Sequence, residues 1–172
     1  MRQPRLINTV SYIKIFSIGL PKTGNHSLKQ WLIDCGFKGI RYPNRQQWSY
    51  LKHYDFVLDT PCNLYYQILF SIYPDAKFIY TYRSQNTWLK SWSAHKKNIS
   101  EDSLSAWQVR NREFIDTWYQ DINTHKKEAE SFFKHRSELF LLNIESPDIN
   151  GLADFLEISN PPPFLHLNAT RF

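Results

Sequence analysis

A short loop that carries a lysine is the part of this sequence best suited to binding an anion. Residues 19–27 read Gly-Leu-Pro-Lys-Thr-Gly-Asn-His-Ser and follow an apolar run that is typical of a β-strand. A helix is predicted to begin near Asn25, so backbone amides and the positive end of the helix dipole would converge on the loop. Lys22 adds a full positive charge. The loop therefore predicts a phosphate-binding site.

The same loop differs from the P-loop of nucleotide-hydrolysing enzymes. The pattern GxxxxGK[ST] places a lysine and a hydroxyl where this sequence has Asn25 and His26. Ordinary hydrolysis of ATP or GTP would lose two of its working groups, the lysine on the phosphates and the hydroxyl on magnesium. Taken alone, residues 21–24 are also common turn material, so this loop does not decide the function by itself.

A second pair of residues suited to phosphate follows the fourth predicted strand. Arg83 stands at the end of that strand, and Ser91 comes eight residues later. If a helix begins near Asn86, Ser91 can face the strand end beside Arg83. A guanidinium group offers paired donors to a phosphate, and each charge-assisted hydrogen bond contributes about 1.5–3 kcal/mol. Either residue alone would be interpreted as ordinary surface chemistry, but two such features in this order are less expected by chance.

The two motifs resemble those of the sulfotransferases that use 3′-phosphoadenosine 5′-phosphosulfate (PAPS). Residues 21–24 resemble the family's 5′-phosphosulfate loop, and Arg83 with Ser91 resembles its 3′-phosphate motif. A looser likeness in residues 57–61, 73–79, 151–156 and 164–168 extends the resemblance over residues 14–168. The Arg-Lys-Gly segment with which cytosolic members close over the nucleotide is absent.

The resemblance implies a role for each residue of the two motifs. Lys22 would reach the 5′-phosphate and the bridging oxygen, while Arg83 and Ser91 would hold the 3′-phosphate. Two threonines of the family loop are replaced by Asn25 and His26, and Ser27 could supply one hydroxyl. The donor is then PAPS, the product is adenosine 3′,5′-bisphosphate (PAP), and no metal is required. The predicted nucleotide-binding residues are Lys22, Thr23, Gly24, Asn25, His26, Ser27, Arg83 and Ser91.

A base must remove the proton of the acceptor, and Asp59 is the candidate for that role. In the family the base lies just beyond the central strand as His or Glu, and this sequence has Asp59 at that place. An aspartate that ends an apolar strand also fits a magnesium-binding position, and one before Thr-Pro can simply cap the next helix. His26 and His95 are the other candidates for the base, and Lys22 is the candidate for stabilising the leaving phosphate.

Alternation of short apolar runs with helical patterns predicts an α/β protein. We expect a three-layer sandwich with a central, mainly parallel sheet of about five strands, similar to P-loop NTPases. Ligands bind at the carboxyl ends of the strands in such sheets. Strands are predicted at residues 13–18, 38–42, 54–59, 77–82 and 138–142. Helices are predicted from Asn25, at residues 63–73, around residues 88–92, over residues 107–133 and at residues 148–156.

Bulk properties bound the functional class further. The 172 residues fit one domain, expected to span 1–172, and the formal net charge of +5 favours an anionic partner. The basic residues are dispersed, so a nucleic-acid partner is not expected. Two cysteines are too few for a disulfide framework, and no stretch predicts a membrane span or a signal peptide. A cytoplasmic location is therefore expected.

The expected acceptor is a hydroxyl or amine on a small molecule or glycan. The chain is short for the family, so its acceptor pocket can be open, small or completed by a second subunit, which allows a homo-oligomer. Two alternative functions stay open at this point. One is a P-loop-type nucleotide kinase or NTPase, and the other is a non-catalytic relative that binds PAPS or PAP.

Overall fold

The apolar runs predicted to be strands form one five-stranded sheet in which every pairing is parallel. The structure is a computed structural model, and it describes residues 13–97 and 122–167. The spatial order of the strands is β2-β3-β1-β4-β5. Their bounds are β1 Ile15–Ser17, β2 Gly39–Arg41, β3 Phe56–Leu58, β4 Lys77–Tyr82 and β5 Leu139–Asn143. The prediction of a parallel α/β sheet of about five strands is confirmed.

Helices connect the strands and begin close to where the periodicity predicts. Much of the predicted long helix over residues 107–133 lies outside the described residues, which resume at Ile122. In the described part of the chain the α-helices are α1 Asn25–Asp34, α2 Arg45–Ser49, α3 Cys62–Ile72, α4 Gln85–Lys97, α5 Ile122–Phe132 and α6 Ile149–Phe155. The short helix α2 was not predicted. Its signal is the pair Asn44 and Gln47, whose side chains and backbones form a reciprocal capping box.

Alternate residues of the strands pack into two separate apolar clusters, one on each face of the sheet. Phe16 and Phe78 pack with residues of α3 and α5, whereas Ile15 and Ile79 pack with residues of α1 and α6. Since successive side chains of a strand point to opposite faces, the two clusters are the two sides of one sheet. The predicted three-layer arrangement of helix, sheet and helix is therefore confirmed.

The strand order identifies the edge of the sheet at which a ligand site is expected. The chain leaves β1 towards β2 on one side, and it leaves the neighbouring β4 towards β5 on the other side. Such a reversal opens a crevice at the carboxyl ends of the two strands. Gly19 allows the close approach there, because a Cβ at this position would lie 2.2 Å from Oγ1 of Thr81. The loops that begin at Gly19 and at Arg83 flank this crevice.

The carboxyl-terminal residues run back along α1. The indole nitrogen of Trp31 donates to the carbonyl of Pro162 at 2.9 Å, and the ring of Phe164 lies 6.5 Å from that of Trp31. The backbone amide of Leu167 donates to Oγ of Ser27 at 2.9 Å. The carboxyl-terminal residues up to Leu167 thus cover the first helix. In the described ranges, no helix has the length and apolar character needed to cross a bilayer.

Candidate active site

The loop between β1 and α1 is fixed to the sheet from below by Thr23. This buried hydroxyl bonds to the carbonyl oxygen of Leu20 at 2.5 Å and lies 2.7 Å from Oγ1 of Thr81 on β4. The backbone adopts left-handed conformations at Lys22 and Gly24, with φ of 68° and 96°. A left-handed φ is costly for lysine and is typical of positions where a loop must aim a particular group.

The side chains of Asn25 and Ser27 are used to hold the loop and its helix. The buried Oδ1 of Asn25 accepts from Oγ of Ser17 at 2.6 Å and from Oγ1 of Thr81 at 3.2 Å. Ser27 accepts the amide of Leu167. The Ser27 hydroxyl, the candidate for one phosphate contact, therefore also holds the tail. At these positions it is the backbone amides at the start of α1 that remain for an anion.

Lys22 lies in a positively charged cluster. Burial makes the largest contribution to lowering the pKa of Lys22, and the charges of Arg41 and Arg83 lower it further. The carboxylate of Asp59 acts in the opposite direction. The predicted site residues Lys22, Asp59 and Arg83 are therefore close enough to interact electrostatically, although they come from the ends of three different strands. Such a cluster attracts a polyanion.

Asp59 is a buried carboxylate with two partners. The residue is only 1% exposed. Its Oδ1 accepts a hydrogen bond from the amide of Thr60 at 3.0 Å, and its Oδ2 lies 3.5 Å from the guanidinium of Arg41. Burial raises the pKa of Asp59 to about 6, against the opposing effects of Arg41, the Thr60 amide and Lys22. This carboxylate is thus ionised at neutral pH but more basic than an exposed aspartate, as a general base requires.

The alternative role of Asp59 as a helix cap is not supported by the contacts. The residue in the N-cap position of α3 is Pro61, and α3 has no side-chain cap. The carboxylate of Asp59 instead bonds to the amide of the next residue, Thr60. Asp59 also has a left-handed backbone, with φ of 72°, as Lys22 does. Both candidate catalytic residues therefore adopt a left-handed backbone conformation that is costly for a residue other than glycine.

The second predicted phosphate motif extends from β4 into α4. Nε of Arg83 is buried and has no hydrogen-bond partner in the described part of the chain, as a group that awaits a ligand would be. Ser91 lies one turn beyond Trp88 on α4 and is 2% exposed. The indole nitrogen of Trp88 donates to the carbonyl of Pro21 at 2.9 Å. Helix α4 is thereby held directly against the loop that carries Lys22.

Glu145 closes the start of α4 and was not predicted. Its carboxylate accepts from the amide of Ser84 at 2.8 Å, from Oγ of Ser84 at 3.1 Å and from Oγ1 of Thr87 at 2.5 Å. The bond from Thr87 is the largest of the effects that lower the pKa of Glu145, and the charge of Arg83 also contributes. Glu145 therefore occupies the donors that Ser84 and Thr87 present at the start of α4.

The histidines have separate roles. His26 lies in the first turn of α1, and burial followed by the charges of Arg41 and Lys29 lowers its pKa, so the ring is neutral at neutral pH. His125 is buried between the hydroxyl of Tyr80, 2.8 Å from Nδ1, and the carbonyl of Asn63, 2.9 Å from Nε2. These contacts make His125 part of the packing beneath the sheet. The side chain of His95 lies outside the described part of the structure.

Arg41 is the site residue that the sequence analysis missed. It was included in the second predicted strand without a role, yet its guanidinium pairs with Asp59 and influences both Lys22 and His26. The available signal was a charged residue at the carboxyl end of an apolar strand. Within the described ranges, no group of three or more His, Cys, Asp or Glu residues is arranged to hold a metal ion.

Comparison with known proteins agrees with this architecture. Residues 40–139, more than half of the chain, match the family described as sulfotransferase domain. Among solved structures, a sulfotransferase from Alicyclobacillus acidocaldarius is similar in fold, with a TM-score of 0.64 and 15% sequence identity. The alignment covers 92% of this chain and 86% of that one. No curated protein matches the sequence.

Proposed function

Since this chain belongs to the sulfotransferase domain family, we propose that it transfers a sulfuryl group from PAPS to a hydroxyl or amine of an acceptor. The observation that carries the proposal is that Lys22 interacts electrostatically with Arg41, with Arg83 and with the buried carboxylate of Asp59. The cations suit a polyanionic donor, and the carboxylate suits an acceptor that must lose a proton. Both lie at the carboxyl edge of the sheet, at the ends of β1 and β4 where the strand order reverses and of β2 and β3 beside them.

The residues present fit the nucleotide that the family implies. Lys22 and the amides of residues 23–27 are the group for the 5′-phosphosulfate, because the loop and the helix start combine to bind an anion. Arg83 and Ser91 are the group for the 3′-phosphate, and the unpartnered Nε of Arg83 is an observation that favours this assignment. When bound, PAPS supplies a sulfuryl group on a phosphate leaving group.

Each catalytic task then falls to a group of this chain. Lys22 balances the negative charge that develops on the departing phosphate oxygen, which is the electrostatic part of the catalysis. Asp59 takes the proton of the acceptor hydroxyl or amine. The full burial of Asp59 and the half-buried position of Lys22 reduce screening by water compared with a fully exposed pair.

A kinase or NTPase activity fits the same residues less well. Such an enzyme needs a lysine where this chain has Asn25, and the side chain of Asn25 is already bonded to Ser17 and Thr81 within the core. A magnesium role for Asp59 would also compete with its contact to Arg41. These contacts favour a nucleotide that is held by cations and amides.

Calorimetry with PAP and ATP tests the proposed function. With EDTA present, we expect PAP to bind and ATP to bind far more weakly, because only PAP has a 3′-phosphate for Arg83 and Ser91. The Arg83→Ala variant should bind PAP about 10- to 100-fold more weakly and should bind adenosine 5′-phosphate as the wild type does.

Lys90→Ala is the matched control, since Lys90 is an exposed cation on α4 next to Ser91. This variant should bind PAP as the wild type does. Preference for ATP with magnesium, or equal loss of PAP in the Arg83 and Lys90 variants, would contradict the proposal.

A further inference from the structure

Arg41 is positioned by the sheet to act beside Asp59. It is the last residue of β2, and the parallel register places it opposite Leu58, the residue directly before Asp59. Its side chain is 36% exposed, whereas that of Asp59 is almost fully buried. The guanidinium therefore lies at the mouth of the site, with the carboxylate behind it.

The geometry of this ion pair leaves the guanidinium able to bind a second group. The separation of 3.5 Å between Arg41 and Oδ2 of Asp59 is longer than a close, paired contact between arginine and carboxylate. Arginine carries five N–H donors in a planar fork, so it can keep one carboxylate and still donate to another anion. The contact with Asp59 thus occupies only some of the N–H donors of Arg41.

The charge of Arg41 also reaches the phosphate loop. It acts on Lys22 in the loop and on His26 in the first turn of α1. Arg41 is thus close enough to influence groups on both sides of the site: the leaving-group lysine on one side and the candidate base on the other. A sulfuryl group in transfer must pass between these two groups.

We propose that Arg41 is a catalytic residue that binds the oxygens of the sulfuryl group while it remains paired with Asp59. This inference rests on the proposed function and adds a cation that the two nucleotide motifs do not contain. In the reaction, the bond between sulfur and the bridging oxygen breaks, and its electron pair stays on the phosphate oxygen near Lys22. A new bond forms between sulfur and the acceptor atom, the acceptor proton goes to Asp59, and nothing is oxidised or reduced.

A comparison of PAPS with PAP isolates this role, because the two nucleotides differ only in the sulfuryl group. We expect Arg41→Gln to weaken the binding of PAPS about 10- to 100-fold in calorimetry without acceptor, and to weaken the binding of PAP several-fold less, by the loss of one positive charge near the phosphate loop alone. Arg41→Lys should recover part of the loss because it keeps the charge. Lys38→Gln is the matched control, since it removes an exposed cation next to the other end of β2 and should change neither affinity.

The same measurement separates a sulfuryl contact from a role that acts only through Asp59. In an Asp59→Asn background, Arg41→Gln should still weaken PAPS binding by the same factor. Loss of that effect in the Asn background, equal weakening of PAPS and PAP, or no change in either would overturn the inference. Failure of the wild type to bind either nucleotide would instead contradict the proposed function, so the two failures are distinguishable.

Discussion

Replacement of Lys22 by alanine is expected to lower the rate of sulfuryl transfer by about 100- to 1,000-fold, mainly in kcat. The physical reason is that the negative charge on the departing phosphate oxygen develops in the transition state, where Lys22 is the cation assigned to it. An interaction that strengthens in the transition state contributes to kcat more than to substrate binding. Initial rates with saturating PAPS and an accepted acceptor measure the change.

Lys29→Ala provides the control for the loss of one positive charge near the loop. Lys29 lies on α1 and influences His26, but it has no assigned contact with the nucleotide. We expect this variant to keep the wild-type kcat. A Lys22→Ala variant with normal turnover, or one that loses activity only through a higher KM for PAPS, would remove Lys22 from its assigned role.

The Asp59→Asn variant is expected to lose activity and gain stability. Without a base the rate should fall by about 100- to 10,000-fold. The wild-type protein has a carboxyl whose pKa burial raises from the usual 3.8 to about 6, so its ionised form is less favourable in the folded protein than in the unfolded chain. Removal of this charge should stabilise the fold by about 1–3 kcal/mol at pH 8.

The sign of the pH dependence follows from the same shift. The stability that the protonated carboxyl provides is fully present below pH 4 and is lost as the pH rises through about 6. The stability difference between the Asn variant and the wild type should therefore grow between these values and then level off. Urea unfolding at several pH values measures it. Suppose instead that the stability difference between the two proteins is the same at pH 4 and pH 8, and that the Asn variant keeps the wild-type rate. The base would then be another group.

The ionisation of Asp59 should also appear in the pH–rate profile of the wild type. We expect kcat/KM to rise with pH through about 6, because the free enzyme needs an ionised Asp59 to accept the proton. The Asn variant should lack this limb.

Local sequence patterns were sufficient to predict the sheet and the two loops at its carboxyl edge. The run Lys77–Tyr82 is a strand with the bounds that its apolar character predicts, and α1 begins at the predicted Asn25. Parallel strands bring their carboxyl ends to one edge, so the closeness of Lys22 and Arg83 could be expected from the motif order alone. Arg41 could not be assigned in this way, because its contact with Asp59 depends on β2 lying next to β3.

Two further contacts that the sequence patterns did not predict join distant parts of the chain. The Ser27 hydroxyl, a candidate for one phosphate contact, accepts the amide of Leu167, which lies 140 residues later. Glu145 caps α4 from the loop after β5, 61 residues from Ser84. Periodicity describes neighbours within a few turns, whereas these pairings follow from how the finished layers pack. The sequence motifs therefore indicate the candidate site, and the packing of the layers adds contacts to its side chains that the motifs do not predict.

The most direct test of the account is a crystal structure of the protein with PAP bound. We predict that the 5′-phosphate lies within hydrogen-bond distance of Lys22 and the amides of residues 23–27, and that the 3′-phosphate contacts Arg83 and Ser91. The 5′-phosphate should also face Asp59 across the crevice. A nucleotide bound elsewhere, or one with its 3′-phosphate away from Arg83, would contradict the account.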